Sequence, residues 1–126
     1  MATIRSKNTR PERRVFAVLT EAGINFQTHV RVTGTTVDAL VEERVALFVD
    51  SPFWHLRDPA DLCRLNEEWQ TKLLANRRRD RCDTRLLREA GYTVVRIWSD
   101  ELEPHRVLWR IRAACTRAKR LSHALC

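Results

Sequence analysis

The run Val45-Ala46-Leu47-Phe48-Val49 is apolar at every position. It is too short for a buried helix and is bounded by polar residues on both sides, so it reads as a strand buried on both faces. A strand of that kind has to lie inside a sheet with helices covering both sides, which sets the fold class as α/β. It ends in Asp50, and Ser51-Pro52-Phe53-Trp54-His55 follows. A carboxylate, two large aromatics and an imidazole therefore lie at one end of a central strand.

The neighbouring elements fit around this strand. Thr9-Arg10-Pro11-Glu12 has the pattern of a capping box with proline just inside it. Val15, Phe16, Val18, Leu19 and Ala22 follow at helical spacing up to Gly23. Phe26, Thr28, Val30 and Val32 alternate with Gln27, His29 and Arg31, the pattern of a half-buried strand. Thr33-Gly34-Thr35 reads as a turn, 37–41 as a second strand, and Glu42-Glu43-Arg44 as the turn into the third. Residues 51–65, with Pro52 and Pro59, read as a loop, and 66–90 as a long polar helix with a break near Arg77-Arg78-Arg79. Residues 93–98 form a fourth strand. A helical crossover leads to it, so it runs parallel to the third. An amphipathic helix over 103–117 completes the chain, with frayed residues after it. The expectation is an α/β/α sandwich on a mixed sheet of about four strands.

The chain has 126 residues, enough for one such core, so a single domain over 1–126 is expected. No apolar run reaches the roughly 18 residues that span a bilayer, and the N-terminus lacks the apolar segment of a signal peptide. A cytoplasmic protein with no membrane partner is expected. Twenty-three Lys and Arg against 16 Asp and Glu leave a formal charge of +7, which favours a polyanionic partner. The cations cluster at Arg5, Lys7, Arg10, Arg13 and Arg14, and again at Arg77-Arg78-Arg79 and Arg81. The four cysteines, Cys63, Cys82, Cys115 and Cys126, lack the close spacing of a structural zinc site and read as free thiols.

Asp38 sits inside an apolar strand, where an unpaired carboxylate is costly to bury. With Asp50 on the next strand, it could converge on a hard divalent cation such as Mg²⁺. His55 could act as general base or acid, the roles to which an imidazole is suited near neutral pH. These are the parts that phosphodiester hydrolysis needs. Each has a plainer explanation on its own. Asp50 can simply end a strand, Glu12 can serve only the capping box, and Asp80 can be a salt-bridged helix residue. Phe53, Trp54 and Trp69 can fill a core, or they can wedge between base pairs.

Taken together, these segments resemble the very-short-patch-repair (Vsr) endonuclease family. The resemblance is carried by Ile4-Arg5-Ser6-Lys7-Asn8-Thr9-Arg10-Pro11-Glu12, Asp38, Phe53-Trp54-His55, Glu68-Trp69 with Lys72, Asn76 with Arg79-Asp80, and Gly91-Tyr92 leading to Ile97-Trp98. It implies a restriction-endonuclease-like core that nicks double-stranded DNA beside a T:G mismatch with Mg²⁺. It also implies Asp38 as the direct metal ligand, the Val49 carbonyl as a second ligand and Glu12 holding metal-bound water. His55 would be the catalytic imidazole, with Asp80 as its partner. Phe53, Trp54 and Trp69 would intercalate, and Lys72, Asn76, Arg79, Arg5 and Lys7 would contact DNA.

The chain departs from the family pattern at three places. Asp50 stands where the family usually has histidine and would add a catalytic or metal-binding carboxylate. Val37 replaces a proline. Pro52, Arg57 and Asp100 stand where ligands of a structural zinc are expected, so no zinc is expected. Two other readings follow from these departures. One is a related nuclease of a mobile element, phage or defence system without mismatch specificity. The other is an inactive DNA-binding module. A monomer is the expected state.

Overall fold

The computed structural model describes residues 9–124. Helix α1 (Arg10–Glu21) is followed by strands β1 (Phe26–Val32), β2 (Thr35–Val41) and β3 (Val45–Asp50). A short 3₁₀ turn (Pro59–Arg64), helix α2 (Glu67–Glu89), strand β4 (Thr93–Trp98) and helix α3 (Pro104–Ala124) complete the order. The sheet order is β1-β2-β3-β4. β1/β2 and β2/β3 are antiparallel, and β3/β4 is parallel. The sheet is therefore mixed, and β3 is an inner strand, as its uniform apolarity requires.

Two apolar layers cover the sheet. On one face Val15 and Leu19 of α1 meet Val107, Ile111, Ala114 and Ala118 of α3 over Ala39, Val41, Val45, Leu47, Val95 and Ile97. On the other, Leu87 of α2 packs with Ala46, Phe48 and Val94. β3 thus sends Val45 and Leu47 to one layer and Ala46 and Phe48 to the other, the alternation a strand imposes.

Four expectations are corrected. The loop at 51–65 contains the 3₁₀ turn, started by Pro59 and capped by the Asp58 side chain. α2 is one unbroken helix through the arginine cluster. Arginine is a good helix former, and the solvated face carries the charge. α3 continues to Ala124, because Ala114 and Ala118 extend its buried stripe. The β1–β2 turn is the two-residue Thr33-Gly34. Both residues have positive φ (48° and 83°), and Val32 pairs with Thr35. That is the primed turn whose twist suits a hairpin.

Candidate active site

The first group of side chains forms where β1, β2 and α1 meet. The β1–β2 register pairs Thr28 with Ala39 and Val30 with Val37, so His29 and Asp38 face each other. His29 has φ +53°, in the left-handed region. That conformation costs a non-glycine residue on the order of 1–2 kcal/mol. The β2–β3 register runs from Val41 opposite Val45 to Ala39 opposite Leu47. One residue further along β2, the Asp38 side chain takes up the next link, and the Val49 N–H donates to its Oδ2 at 2.7 Å. Asp38 is 5% exposed and Glu12 6%.

Glu12 does serve the capping box: the Thr9 hydroxyl donates to its Oε2 at 2.8 Å. Its other oxygen points elsewhere. His29 Nε2–H donates to Oε1 at 2.8 Å. The ring of His29 also stands edge-on to Phe16, at 6.1 Å between centroids. One donor atom from each of Glu12, His29 and Asp38 lies within 4.8 Å of the others. The capping role of Glu12 is real, but it does not account for the burial or for the second contact.

The second group lies at the same end of β3, on the α2 side. His55 Nδ1–H donates to Asp80 Oδ2. A carboxylate can only accept, so this bond leaves Nε2 of a neutral ring as the proton acceptor. Nε2 lies 3.7 Å from Asp50 Oδ1. Asp50 itself is buried and accepts from Arg96 Nη1 through both oxygens, at 3.2 and 3.1 Å. Arg96 also donates to the Thr84 hydroxyl and to the Asp80 carbonyl, and it covers the Phe48 ring at 4.1 Å. The structure therefore brings Asp50 to Arg96 and His55 rather than into the Glu12–His29–Asp38 group. The two groups are joined through consecutive residues, because Asp38 holds the N–H of Val49 and Asp50 follows.

The loop carrying His55 is tightly wound. His55 N–H donates to the Ser51 carbonyl and Arg57 N–H to that of Pro52. Leu56 is buried at φ +49°. Arg57 meets Asp100 fork to fork at 2.6 and 2.7 Å and lies over Trp98, which ties the loop to the chain leaving β4. The guanidinium holds the Asp100 carboxyl below the ordinary aspartate range, and Asp100 in turn pushes the Arg57 value up. Two of the positions expected to lack zinc ligands thus bond to each other.

Phe53, Trp54 and Trp69 form a three-ring cluster with centroids 5.4 to 6.0 Å apart. Phe53 is 41% and Trp54 43% exposed, so these rings are not core. Lys72 lies over Trp69 at 5.1 Å, and the Asn76 amide donates to the Trp54 carbonyl at 3.4 Å. Arg79 is exposed on α2 beside Asp80. Arg5 and Lys7 lie outside the described residues.

A cleft runs past His55 and Asp80, and its lining includes Arg77, Arg81, Arg85, Arg88 and Arg96. Sequence reasoning missed Arg85, Arg88, Arg96 and His29. The first two repeat the spacing of Arg77 and Arg81 along one face of α2, a signal that was available.

Comparison with known proteins settles the family. A family model described as DNA mismatch endonuclease Vsr matches residues 1–61. The type II nicking enzyme V.XorIIP of Xanthomonas oryzae pv. oryzae is 34% identical over 110 residues, covering 81% of this chain and 78% of that one. The chain belongs to the Vsr endonuclease family. Other Vsr relatives are V.NmeDIP of Neisseria meningitidis serogroup C and the DNA mismatch endonuclease Vsr of Escherichia coli K12. Each is 30% identical, with coverage of 81% and 78% of this chain and 72% and 65% of theirs. Among solved structures, the catalytic domain of the homing endonuclease I-Bth0305I superposes with a TM-score of 0.63 at 26% identity, over 88% of this chain and 98% of that domain. The fold is thus restriction-endonuclease-like, and this Vsr-family chain is a DNA endonuclease. None of its described helices is long and apolar enough to cross a membrane.

Proposed function

We propose that this Vsr-family protein nicks one strand of double-stranded DNA beside a T:G mismatch, in a Mg²⁺-dependent hydrolysis. One observation carries the reading. The buried carboxylates of Glu12 and Asp38 sit at the same end of β3 as the His55–Asp80 pair, and the loop and helix that carry that pair also carry three partly exposed aromatic rings. Buried carboxylates that share a site suit a hard divalent cation, so the donor set fits Mg²⁺ at Asp38, with Glu12 and the Val49 carbonyl alongside. Such an ion would neutralise the scissile phosphate and acidify a bound water.

The remaining work falls to the chain's own groups. Asp80 fixes the His55 tautomer, so that Nε2 can take a proton and later return it to the leaving oxygen. Arg96 compensates Asp50 and, through the Asp80 carbonyl, helps hold the imidazole's partner. Arg77, Arg81, Arg85 and Arg88 offer charge to the DNA backbone along the cleft. Phe53, Trp54 and Trp69 would wedge into the stack. Wedging costs a few kcal/mol per base step and costs least where pairing is already weak. That asymmetry supports selection for a mismatch, and the family's description as a mismatch endonuclease supports it too.

The test is nicking of matched and T:G duplexes with Mg²⁺, by the parent and by Asp38→Ala. Faster nicking of T:G and an inactive Asp38→Ala that still binds DNA are expected. Continued nicking by that variant would overturn the assignment of Asp38. Equal rates on both duplexes would remove mismatch specificity. They would favour a cleaving module without it, a reading that the likeness to a homing endonuclease domain supports.

A further inference from the structure

We propose that His29 is a direct nitrogen ligand of the ion held by Asp38 and Glu12, and that it biases this site toward Mn²⁺ over Mg²⁺. The inference rests on the reading that Asp38 binds a divalent cation. It adds to that reading a nitrogen donor beside Asp38, Glu12 and the Val49 carbonyl, and a consequence for which ion is preferred.

His29 could instead be only a hydrogen-bond partner that positions Glu12. Three features favour ligation. A partner for Glu12 alone has no need to approach Asp38. Yet a donor atom of His29 lies within 4.8 Å of both carboxylates, and the residue faces Asp38 across the hairpin. Glu12 already has a partner, because the Thr9 hydroxyl holds its Oε2 at 2.8 Å. Finally, the imidazole is fixed rather than mobile. Its backbone is left-handed at φ +53°, its ring stands edge-on to Phe16, and its side chain is 13% exposed. A ligand held in place by its surroundings loses little freedom on binding.

The required movement is small. Ligand distances of about 2.1 Å in an octahedral site set neighbouring donors roughly 3 Å apart. The present spread of at most 4.8 Å closes toward that as the Glu12 and Asp38 carboxylates rotate. Nε2 gives up the proton it now donates to Glu12, the neutral ring then carrying its one hydrogen on Nδ1, because a ligating nitrogen must be unprotonated. Chemistry then gives the preference. Mg²⁺ favours oxygen ligands and retained waters, whereas affinity for sites that include imidazole rises along the first-row series from Mn²⁺. A site of two carboxylates and one imidazole gives Mn²⁺ an advantage that an all-oxygen site does not.

The decisive comparison uses the full chain and His29→Gln. Glutamine can still donate to Glu12 but cannot offer an imidazole nitrogen. Mn²⁺ and Mg²⁺ affinities are measured by calorimetry, and the Mn²⁺-loaded proteins are read by pulsed EPR for directly bound ¹⁴N. The parent is expected to show that nitrogen coupling and a Mn²⁺ preference. His29→Gln is expected to lose the coupling and at least about tenfold of the preference, the scale of a lost ligand-shell contact. An unchanged preference, or coupling that is absent from the parent or persists in the variant, overturns the proposal. Asp38→Asn separates the two levels. If it binds both ions as the parent does, the underlying site reading fails. If it loses both while His29→Gln keeps its preference, only the role of His29 fails. Circular dichroism confirms that each variant is folded.

Discussion

Replacing Arg96 with methionine isolates the coupling between the sheet and the His55 imidazole. Its guanidinium reaches both oxygens of Asp50, which is 3% exposed, and also bonds Thr84 and the Asp80 carbonyl. Removing one partner of a buried pair typically costs 3–5 kcal/mol, because the other charge is left stranded. The Arg96 side chain is 23% exposed, so water reaches part of the pair and screens it. The expected loss is therefore about 2–3 kcal/mol. For a chain of this length, that lowers Tm by roughly 6–12 °C. Asp80 also loses its anchor, so nicking should fall more than about tenfold at temperatures where the variant remains folded. The combination Asp50→Asn with Arg96→Met strands no charge and should regain at least about 1 kcal/mol over Arg96→Met alone. Urea unfolding followed by circular dichroism measures all three proteins. An Arg96→Met variant within about 0.5 kcal/mol of the parent would refute the reasoning. So would a double variant no more stable than the single.

Other consequences are testable separately. Arg81→Ala with Arg85→Ala should reduce the salt slope of DNA binding by about 0.9 for each phosphate contact removed, and a slope unchanged from the parent would take these residues off the DNA path. Trp54→Ala should weaken nicking of T:G duplexes more than binding to matched DNA, because only the former needs the wedge; equal losses in the two assays would count against intercalation. Because Arg57 lowers the Asp100 carboxyl, the stabilisation it gives is complete above the ordinary aspartate range and is lost as pH falls through the lower folded value. A carboxyl ¹³C titration should accordingly find Asp100 still ionised where a free aspartate is half protonated, and Arg57→Ala should abolish the difference. Burial pushes the Cys115 thiol up, whereas Cys63 and Cys82 are exposed. Iodoacetamide followed by peptide mapping should therefore label Cys63 and Cys82 well before Cys115.

Much of this molecule is legible in its sequence where local rules and burial agree. The apolar run at 45–49 does become an inner strand, and the crossover does make β4 parallel to it. The capping box at Thr9 forms as its residues suggest. His29 was hidden by a single residue of register. Read as a three-residue turn, 33–35 sets His29 opposite Ala39. The actual two-residue turn sets it opposite Asp38. Nor does alternation along a strand foretell a left-handed φ, because the surrounding fold imposes it. Asp50 was drawn toward Asp38 because the two strands are neighbours. Strand alternation instead directs Asp50 to the α2 side with Ala46 and Phe48, where Arg96 on β4 awaits it. The Arg57–Asp100 bridge joins residues 43 positions apart, a distance over which periodicity carries no information.

The link between the two halves of the site has a mechanical implication. Asp38 grips the amide of Val49, and Asp50 turns the opposite way to meet Arg96 and His55. One peptide unit thus works as a ruler between the two ends of the site, Glu12–His29–Asp38 at one and Asp50–His55–Asp80 at the other. Length cannot vary inside β3 without exchanging its faces. An alanine inserted between Leu47 and Phe48 should uncouple the two ends, whereas one inserted after Asp61 should be tolerated.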